Sequence, residues 1–233
     1  MKAAVINYPG TVGKTTLAMH LLSSRMNGAP IIAVETINEV ANADGIEVDK
    51  VRGDQFRSIF KRLAVMDDAI IDVGASNVET FLAGMAKFED SHLEIDMFIV
   101  PTTGGTKELR ETITLVDVLH DFGIPAEKIK IIFNRVDNDV AEEFAPLIAY
   151  AKKTGRCIIN LNAAVMENEL YDMVAMRKLT VASLLNDPAD YRTLAREATD
   201  DISRNKYLDL YTMKSLAKSV NANLNNVFHA ITA

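Results

Sequence analysis

Six short apolar runs punctuate the chain, at Ala3 to Asn7, Ile31 to Thr36, Ala69 to Val73, Met97 to Pro101, Ile129 to Asn134 and Cys157 to Asn160. Each is nearly continuous instead of alternating, as expected for strands of a parallel sheet buried on both faces. Helix-like stretches separate them: Lys14 to Met26, Gln55 to Met66, Asn77 to Glu89, Lys107 to Phe122 and Asp139 to Lys153. Ser76 with Glu79 has the spacing of a capping box, Gly123 and Pro125 stop the fourth stretch, and Gly155 stops the fifth. This alternation predicts an α/β fold, a mostly parallel central sheet with helices on both faces and ligands at the carboxyl ends of the strands.

Beyond about Ala164 the strand pattern fades into helix-like pieces, broken near Asp187-Pro188 and Ser203-Arg204-Asn205. Residues 1–163 read as the core and 164–233 as a helical C-terminal region packed on it or extending it. Leu208, Tyr211, Met213 and Leu216 read as packing stripes. The last stretch, Asn223 to Ala233, carries Leu224, Val227, Phe228 and Ile231 on one apolar face but no Lys or Arg, which argues against a lipid-attracted helix.

Composition narrows the function classes. With 233 residues, 48% of them hydrophobic, the chain can bury one large core. Lys and Arg number 25 against 32 Asp and Glu, and the net charge of −7 opposes general attraction to nucleic acid. Lys128 with Lys130, Lys152 with Lys153 and Arg156, and Arg177 with Lys178 are the local basic groups, and such pairs more often mark solvated helix faces than a DNA-binding stripe. Cys157 is the only cysteine, so no intrachain disulfide forms, and no signal peptide or membrane span is evident; the expected setting is the cytoplasm.

Candidate chemistry gathers at strand ends. Directly after the first apolar run comes Pro9-Gly10-Thr11-Val12-Gly13-Lys14-Thr15-Thr16, which reads as a phosphate-binding loop opening a helix. The general pattern GxxxxGK[ST] wants Gly where Tyr8 stands, but the part nearest the phosphates survives. Gly10 and Gly13 admit close backbone approach, Lys14 offers a charge to β and γ oxygens, and Thr15 a hydroxyl to Mg²⁺. Asp72, at the end of Ile70-Ile71-Asp72-Val73-Gly74, is the acid expected to hold Mg²⁺ through water, and Gly74 could bring an amide to the γ-phosphate. Glu35, with Glu39 as rival and Asn38 as polar orienter, is the candidate for orienting a hydrolytic water. Asn134, in Phe133-Asn134-Arg135-Val136-Asp137, can pair with a purine edge, while the same string approximates the guanine-reading NKxD; ATP and GTP both stay open.

The order of these segments resembles the ParA/MinD branch of P-loop NTPases, the deviant Walker A or SIMIBI class, over roughly Met1 to Asn160. Within it, Asn-Tyr-Pro-Gly-Thr-Val-Gly-Lys-Thr-Thr, Val-Glu-Thr-Ile-Asn, Ile-Ile-Asp-Val-Gly-Ala-Ser-Asn-Val-Glu and Phe-Asn-Arg-Val resemble the StbB group of plasmid stability proteins, also described as TraL-like. The resemblance implies a Mg²⁺-dependent ATP-binding protein in plasmid maintenance or positioning and in conjugative transfer. It also implies a small DNA-binding partner protein encoded nearby, and a nucleotide-dependent homodimer stays open. Lys14 and Thr15 then match the phosphate lysine and magnesium hydroxyl, Asp72 the second acidic motif and Asn134 the adenine contact, with Gly10, Thr11, Val12, Gly13 and Thr16 completing the nucleotide loop and Lys14, Glu35 and Asp72 the catalytic set. Two departures matter. The first Lys of the KGGxGK[ST] loop, which reaches across the dimer, falls at Pro9, and its middle Gly at Thr11; on the second strand only Glu35 remains of the usual acidic pair, with Ile37 at the second position. Loss of a transition-state cation predicts weak hydrolysis.

The leading expectation is therefore a Mg²⁺-dependent nucleotide switch with weak ATPase activity, in which the loops after Asp72 and Pro101 order on ATP binding. A nucleotide-dependent adaptor that never hydrolyses is the second reading. A GTP-specific switch and a small-molecule kinase stand behind it, the kinase disfavoured because no lid insertion stands out. Pro9 with Thr103-Gly104-Gly105 marks the candidate dimer face.

Overall fold

A computed structural model describes residues 1–35 and 48–233. Its centre is a seven-stranded sheet of β1 (Lys2–Val5), β2 (Ile31–Val34), β3 (Val48–Val51), β4 (Ala69–Val73), β5 (Met97–Thr102), β6 (Ile129–Val136) and β7 (Ala164–Met166). The spatial order is β3-β2-β4-β1-β5-β6-β7, and every pairing is parallel. Strand β1 sits centrally between β4 and β5, so the chain leaves it at the point where successive strands are laid down on opposite sides. In such sheets the crevice at the carboxyl edge of that point is the ligand site.

Continuity of the apolar runs follows from burial of both faces. Ala4, Ile71, Val73, Phe98, Ile131 and Phe133 point into one core, with Phe56, Phe81 and Phe144 from the helices over it. Their neighbours Ala3, Val5, Ile70, Ile99 and Ile132 point into the opposite core. The first is roofed by α2 (Phe56–Leu63), α3 (Val78–Ala86), α4 (Thr106–Asp121), α5 (Val140–Glu143) and α6 (Ala145–Thr154). The second is covered by α1 (Lys14–Leu17), which runs on as a π-helical Ala18–Leu22 and a 3-10 turn Ser23–Arg25, and by α7 (Leu170–Arg177), α8 (Val181–Asn186) and α10 (Asp201–Thr232), with α9 (Tyr191–Glu197) packed on α10.

Helix α10 dominates that second face. Its buried residues Met213, Ala217, Val220, Leu224, Val227 and Ile231 recur at alternating spacings of four and three, the stripe that lets a helix lie along a surface. Asp200 caps it by accepting from the Ser203 amide at 2.8 Å. Asn223 reaches the sheet edge, where its amide donates to the Ala164 carbonyl at 2.8 Å and its oxygen accepts from the Met166 amide at 3.1 Å. One side chain thus stands in for a neighbouring strand on β7, blunting an edge that would otherwise present open backbone groups.

The structure corrects several sequence expectations. Cys157 to Asn160 forms no strand; Ile158 makes only an isolated bridge to Lys130, and the seventh strand is Ala164–Met166, where the strand pattern was expected to fade. Strand β3, Val-Asp-Lys-Val, was not anticipated because an edge strand with two charged residues lacks an apolar signature. The third helix begins at Val78 after a 3-10 turn Ala75–Asn77, so Ser76 lies inside the turn instead of capping the helix. Thr36 at the end of the second predicted strand, and Ile37, Asn38 and Glu39 beyond it, lie outside the described residues.

Candidate functional site

The loop after β1 turns into α1 through Gly13, whose φ of 79° is open to glycine but strained for other residues. The same glycine is required by space, because a Cβ there would stand 2.4 Å from Asn134 Nδ2. Asn134, at the end of β6, donates to the Val12 carbonyl oxygen at 2.9 Å and so pins the loop to the sheet. Val12 itself is fully buried, which anchors the loop's middle while Gly10, Thr11 and Thr15 stay open to solvent.

Lys14 turns back beneath the loop. Its Nζ donates to the carbonyl oxygens of Asn7, at 2.9 Å, and Pro9, at 2.7 Å. Burial lowers its pKa to about 8, against the raising influence of Asp72. Asn7 holds this arrangement from below: it is fully buried, donates to the Pro101 carbonyl and to Thr112 Oγ1, both at 2.8 Å, and accepts from the Tyr8 amide. Pro9 is buried as well, so it offers neither charge nor reach to another molecule.

Asp72 enters from the neighbouring strand because Val5 and Asp72 are register partners in the β1–β4 pair. Thr15 Oγ1 donates to its Oδ2 at 2.7 Å, whereas Oδ1 is buried and has no hydrogen-bond partner among the described residues. An orphaned buried carboxylate oxygen is costly. Burial raises the Asp72 pKa to about 6, a shift that Thr15 and Lys14 oppose and Glu35 assists. A hard divalent cation beside Thr15 would complete that unpaired oxygen, directly or through a bound water, so the residues present fit Mg²⁺. Among the described residues no group of three or more His, Cys, Asp or Glu side chains forms a separate metal site.

Around the loop opens a cleft of about 660 Å³, lined by Gly10, Lys14, Thr15 and Thr16 on one side and by Glu35 and Ala75 on the other. Glu35 therefore does face the cleft, and its backbone amide is fixed to the Val51 carbonyl at 3.0 Å. Gly74 lines the cleft too, but its amide donates to Val34 at 3.0 Å, so the expected free donor for a γ-phosphate is taken by the sheet. A Cβ at Gly74 would approach that same Val34 oxygen to 3.0 Å.

Asn134 lines a second, smaller pocket of about 100 Å³ with Gly13, Thr16, Met166, Tyr171 and Asp172. Its wall comes from β7 and α7, so the C-terminal region supplies part of the site. Sequence reasoning missed Arg135, which lines both pockets, because its neighbours suggested an approximation to a guanine motif. Asp137, the residue that would read guanine, is exposed and lines neither. Gly104 and Gly105 are exposed at the start of α4. Of the basic groups, Arg156 pairs with Asp117, Arg177 with Asp209, and Lys128 donates to the Ile95 carbonyl, while Lys152, Lys153 and Lys178 are exposed and Lys130 is half-buried.

No family model matches the chain, and neither does any curated protein. Solved structures do. MinD of Pyrococcus horikoshii, described in complex with Mg-ADP, superposes with a TM-score of 0.51 at 15% identity over 95% of this chain and 98% of that one. McdA of Cyanthece, in its apo form, gives 0.51 at 14% over 94% and 98%, and a Borrelia burgdorferi protein assigned to plasmid partition and bound to AMPPNP gives 0.52 at 14% over 93% and 98%. The chain thus has the fold of MinD-type P-loop ATPases along nearly its whole length.

Proposed function

We propose that this chain is a Mg²⁺-dependent ATP-binding switch protein with weak ATPase activity. The observation that carries the reading is that Lys14 and Thr15 line one cleft while Asp72, buried behind it, accepts from Thr15 and keeps its Oδ1 unpaired, beneath a loop pinned by the purine-reading candidate Asn134. Lys14 holds the loop in shape through Asn7 and Pro9 and carries the charge that meets a phosphate. Bound Mg²⁺ would supply charge neutralisation for the β- and γ-phosphates. Thr15 and Asp72 hold that cation, Asn134 contacts the base, and Glu35 orients water from across the cleft. The exposed position of Asp137, away from both pockets, supports adenine over guanine.

Weak turnover follows from chemistry absent at position 9. A buried proline stands where a bridging cation would act, and removal of such a cation slows phosphoryl transfer by roughly 10³ to 10⁵. Titration of the protein with ATP and Mg²⁺ tests the reading: binding is expected for the parent protein and is expected to be lost in Lys14→Ala. No binding at millimolar nucleotide would overturn it. Phosphate release no faster from the parent than from Lys14→Ala, with ATP still bound by the parent, would instead favour the non-hydrolysing adaptor, which Pro9 also motivates.

The biological setting proposed is plasmid stability or positioning and conjugative transfer, in the cytoplasm, with a plasmid-encoded DNA-binding protein as partner and a nucleotide-dependent homodimer as the active state. Support comes from the StbB-like motifs and from sharing a fold with a protein assigned to plasmid partition. No helix among the described residues is long and apolar enough to cross a membrane. A plasmid carrying the Lys14→Ala allele should be lost faster over unselected generations than its parent; equal retention would remove the plasmid role.

A further inference from the structure

Arg135 occupies an unusual backbone position. Its φ is 54°, in the left-handed region that residues other than glycine enter at a cost. The β6–β7 register also breaks there, with Asn134 paired to Val165 and Val136 to Met166. A bulge of this kind re-aims a side chain. Asn134 and Val136 remain buried, while Arg135 is exposed and lines both the 660 Å³ cleft and the 100 Å³ pocket. It therefore stands at the boundary between the loop of Lys14 and the pocket of Asn134.

Its guanidinium is nearly uncommitted. Arg135 Nε lies 3.9 Å from Glu167 Oε2, an exposed pair at the limit of contact, and makes no hydrogen bond among the described residues. Pairs of that kind are weak and readily exchanged. The charge balance of the cleft gives the arginine a task. Among the described residues, Lys14 and Arg135 are the cations lining it and Glu35 opposes them, while position 9 holds an uncharged proline. A planar guanidinium with a forked set of donors matches phosphate oxygens better than it matches a single distant carboxylate oxygen.

The geometry points to Arg135 as a second phosphate-binding cation, which leaves Glu167 and closes on the base-proximal phosphates of a nucleoside di- or triphosphate. This rests on the nucleotide-binding reading above and adds a residue and a ligand exchange to it. The base lies on the Asn134 side of Arg135 and the phosphate chain on the Lys14 side. Glu167 acts as the competitor that holds the arginine in the empty protein.

The test compares ADP and adenosine binding, by calorimetry with competition against a fluorescent ADP analogue, for the parent protein, Arg135→Asn, Arg135→Lys and Glu167→Gln. Asn is chosen because it tolerates the left-handed backbone that Ala would strain. Arg135→Asn is expected to weaken ADP about tenfold, as removal of a charge-assisted contact does, with adenosine unchanged. Arg135→Lys is expected to recover part of the loss, and Glu167→Gln to tighten ADP binding severalfold. Melting temperatures confirm that each variant is folded. Parental ADP affinity in Arg135→Asn, or an equal loss for adenosine and ADP, would overturn the assignment while leaving nucleotide binding intact. A parent protein that binds no nucleotide would instead overturn the functional reading itself, and this assignment with it.

Discussion

Asn134 Nδ2 donates to the Val12 carbonyl oxygen at 2.9 Å across 122 residues of sequence, and it does so through the space a side chain on Gly13 would fill. One contact thus joins the loop after the central strand to the end of β6. Loop shape and base pocket are consequently a single unit, in which neither part can be altered alone.

Gly13→Ala tests that unit. The substitution adds a Cβ 2.4 Å from Asn134 Nδ2 and forces alanine to φ near 79°. The left-handed conformation alone costs roughly 1–2 kcal/mol, and displacement of Asn134 adds to it. Urea denaturation is expected to show the loss. Asn134→Ala in the Gly13→Ala background should recover the steric part, with a coupling of about 1 kcal/mol; strictly additive effects would mean that the two residues do not share this space.

Asp72 sets a pH limit on metal-dependent binding. Its pKa in the ligand-free protein is raised to about 6, mainly by burial. The proton must leave before the carboxylate can serve a cation, so Mg²⁺-dependent ATP affinity is expected to fall as pH drops through 6. Asp72→Asn should abolish the Mg²⁺ increment at every pH. An increment that persists unchanged to pH 5 would show that Asp72 does not serve the metal.

His20 provides a stability signal of known sign. It is buried beside Tyr171 in the π-helical continuation of α1, and desolvation lowers its pKa to about 4. A depressed histidine pKa contributes stability that is present above the unfolded value near 6.5 and is lost as pH falls towards 4. The raised carboxyl of Asp72 works oppositely, adding relative stability below its unfolded value and losing it as pH rises through 6. Comparison of the parent with His20→Leu removes the Asp72 contribution, since both proteins carry it. Between pH 7 and pH 4 the parent is expected to lose roughly 3 kcal/mol more than the variant. Parallel pH profiles from urea denaturation would place the imidazole in a solvated setting.

Arg25 clamps the phosphate-loop helix to α10. Its guanidinium donates to the Asn221 carbonyl and side-chain oxygens at 3.1 and 2.7 Å, to Asn225 Oδ1 at 2.9 Å, and to the His20 and Leu21 carbonyls. Lysine cannot reproduce that fork. Arg25→Lys is expected to cost roughly 1–3 kcal/mol and to accelerate amide exchange in the second half of α10. Unchanged exchange there would leave the clamp without energetic weight.

The sequence by itself determined the parts that depend on short-range pattern. Continuous apolar runs implied strands buried on two faces, Gly-Lys-Thr-Thr after such a run implied a phosphate loop, and Asp72 and Asn134 stood out as polar residues at the ends of apolar strands. Local chemistry sufficed because each of those signals lies within ten residues. The three-residue β7, half-polar β3 and failed strand at Cys157 to Asn160 lay beyond such reading, since pairing partners and not local composition decide which short segment joins a sheet edge. Tertiary structure alone decided that Gly74 spends its amide on Val34, that Asp72 keeps an unpaired oxygen, and that Arg135 is turned into the cleft by a bulge. Those outcomes depend on register between strands far apart in sequence, and register is settled only when the whole sheet packs.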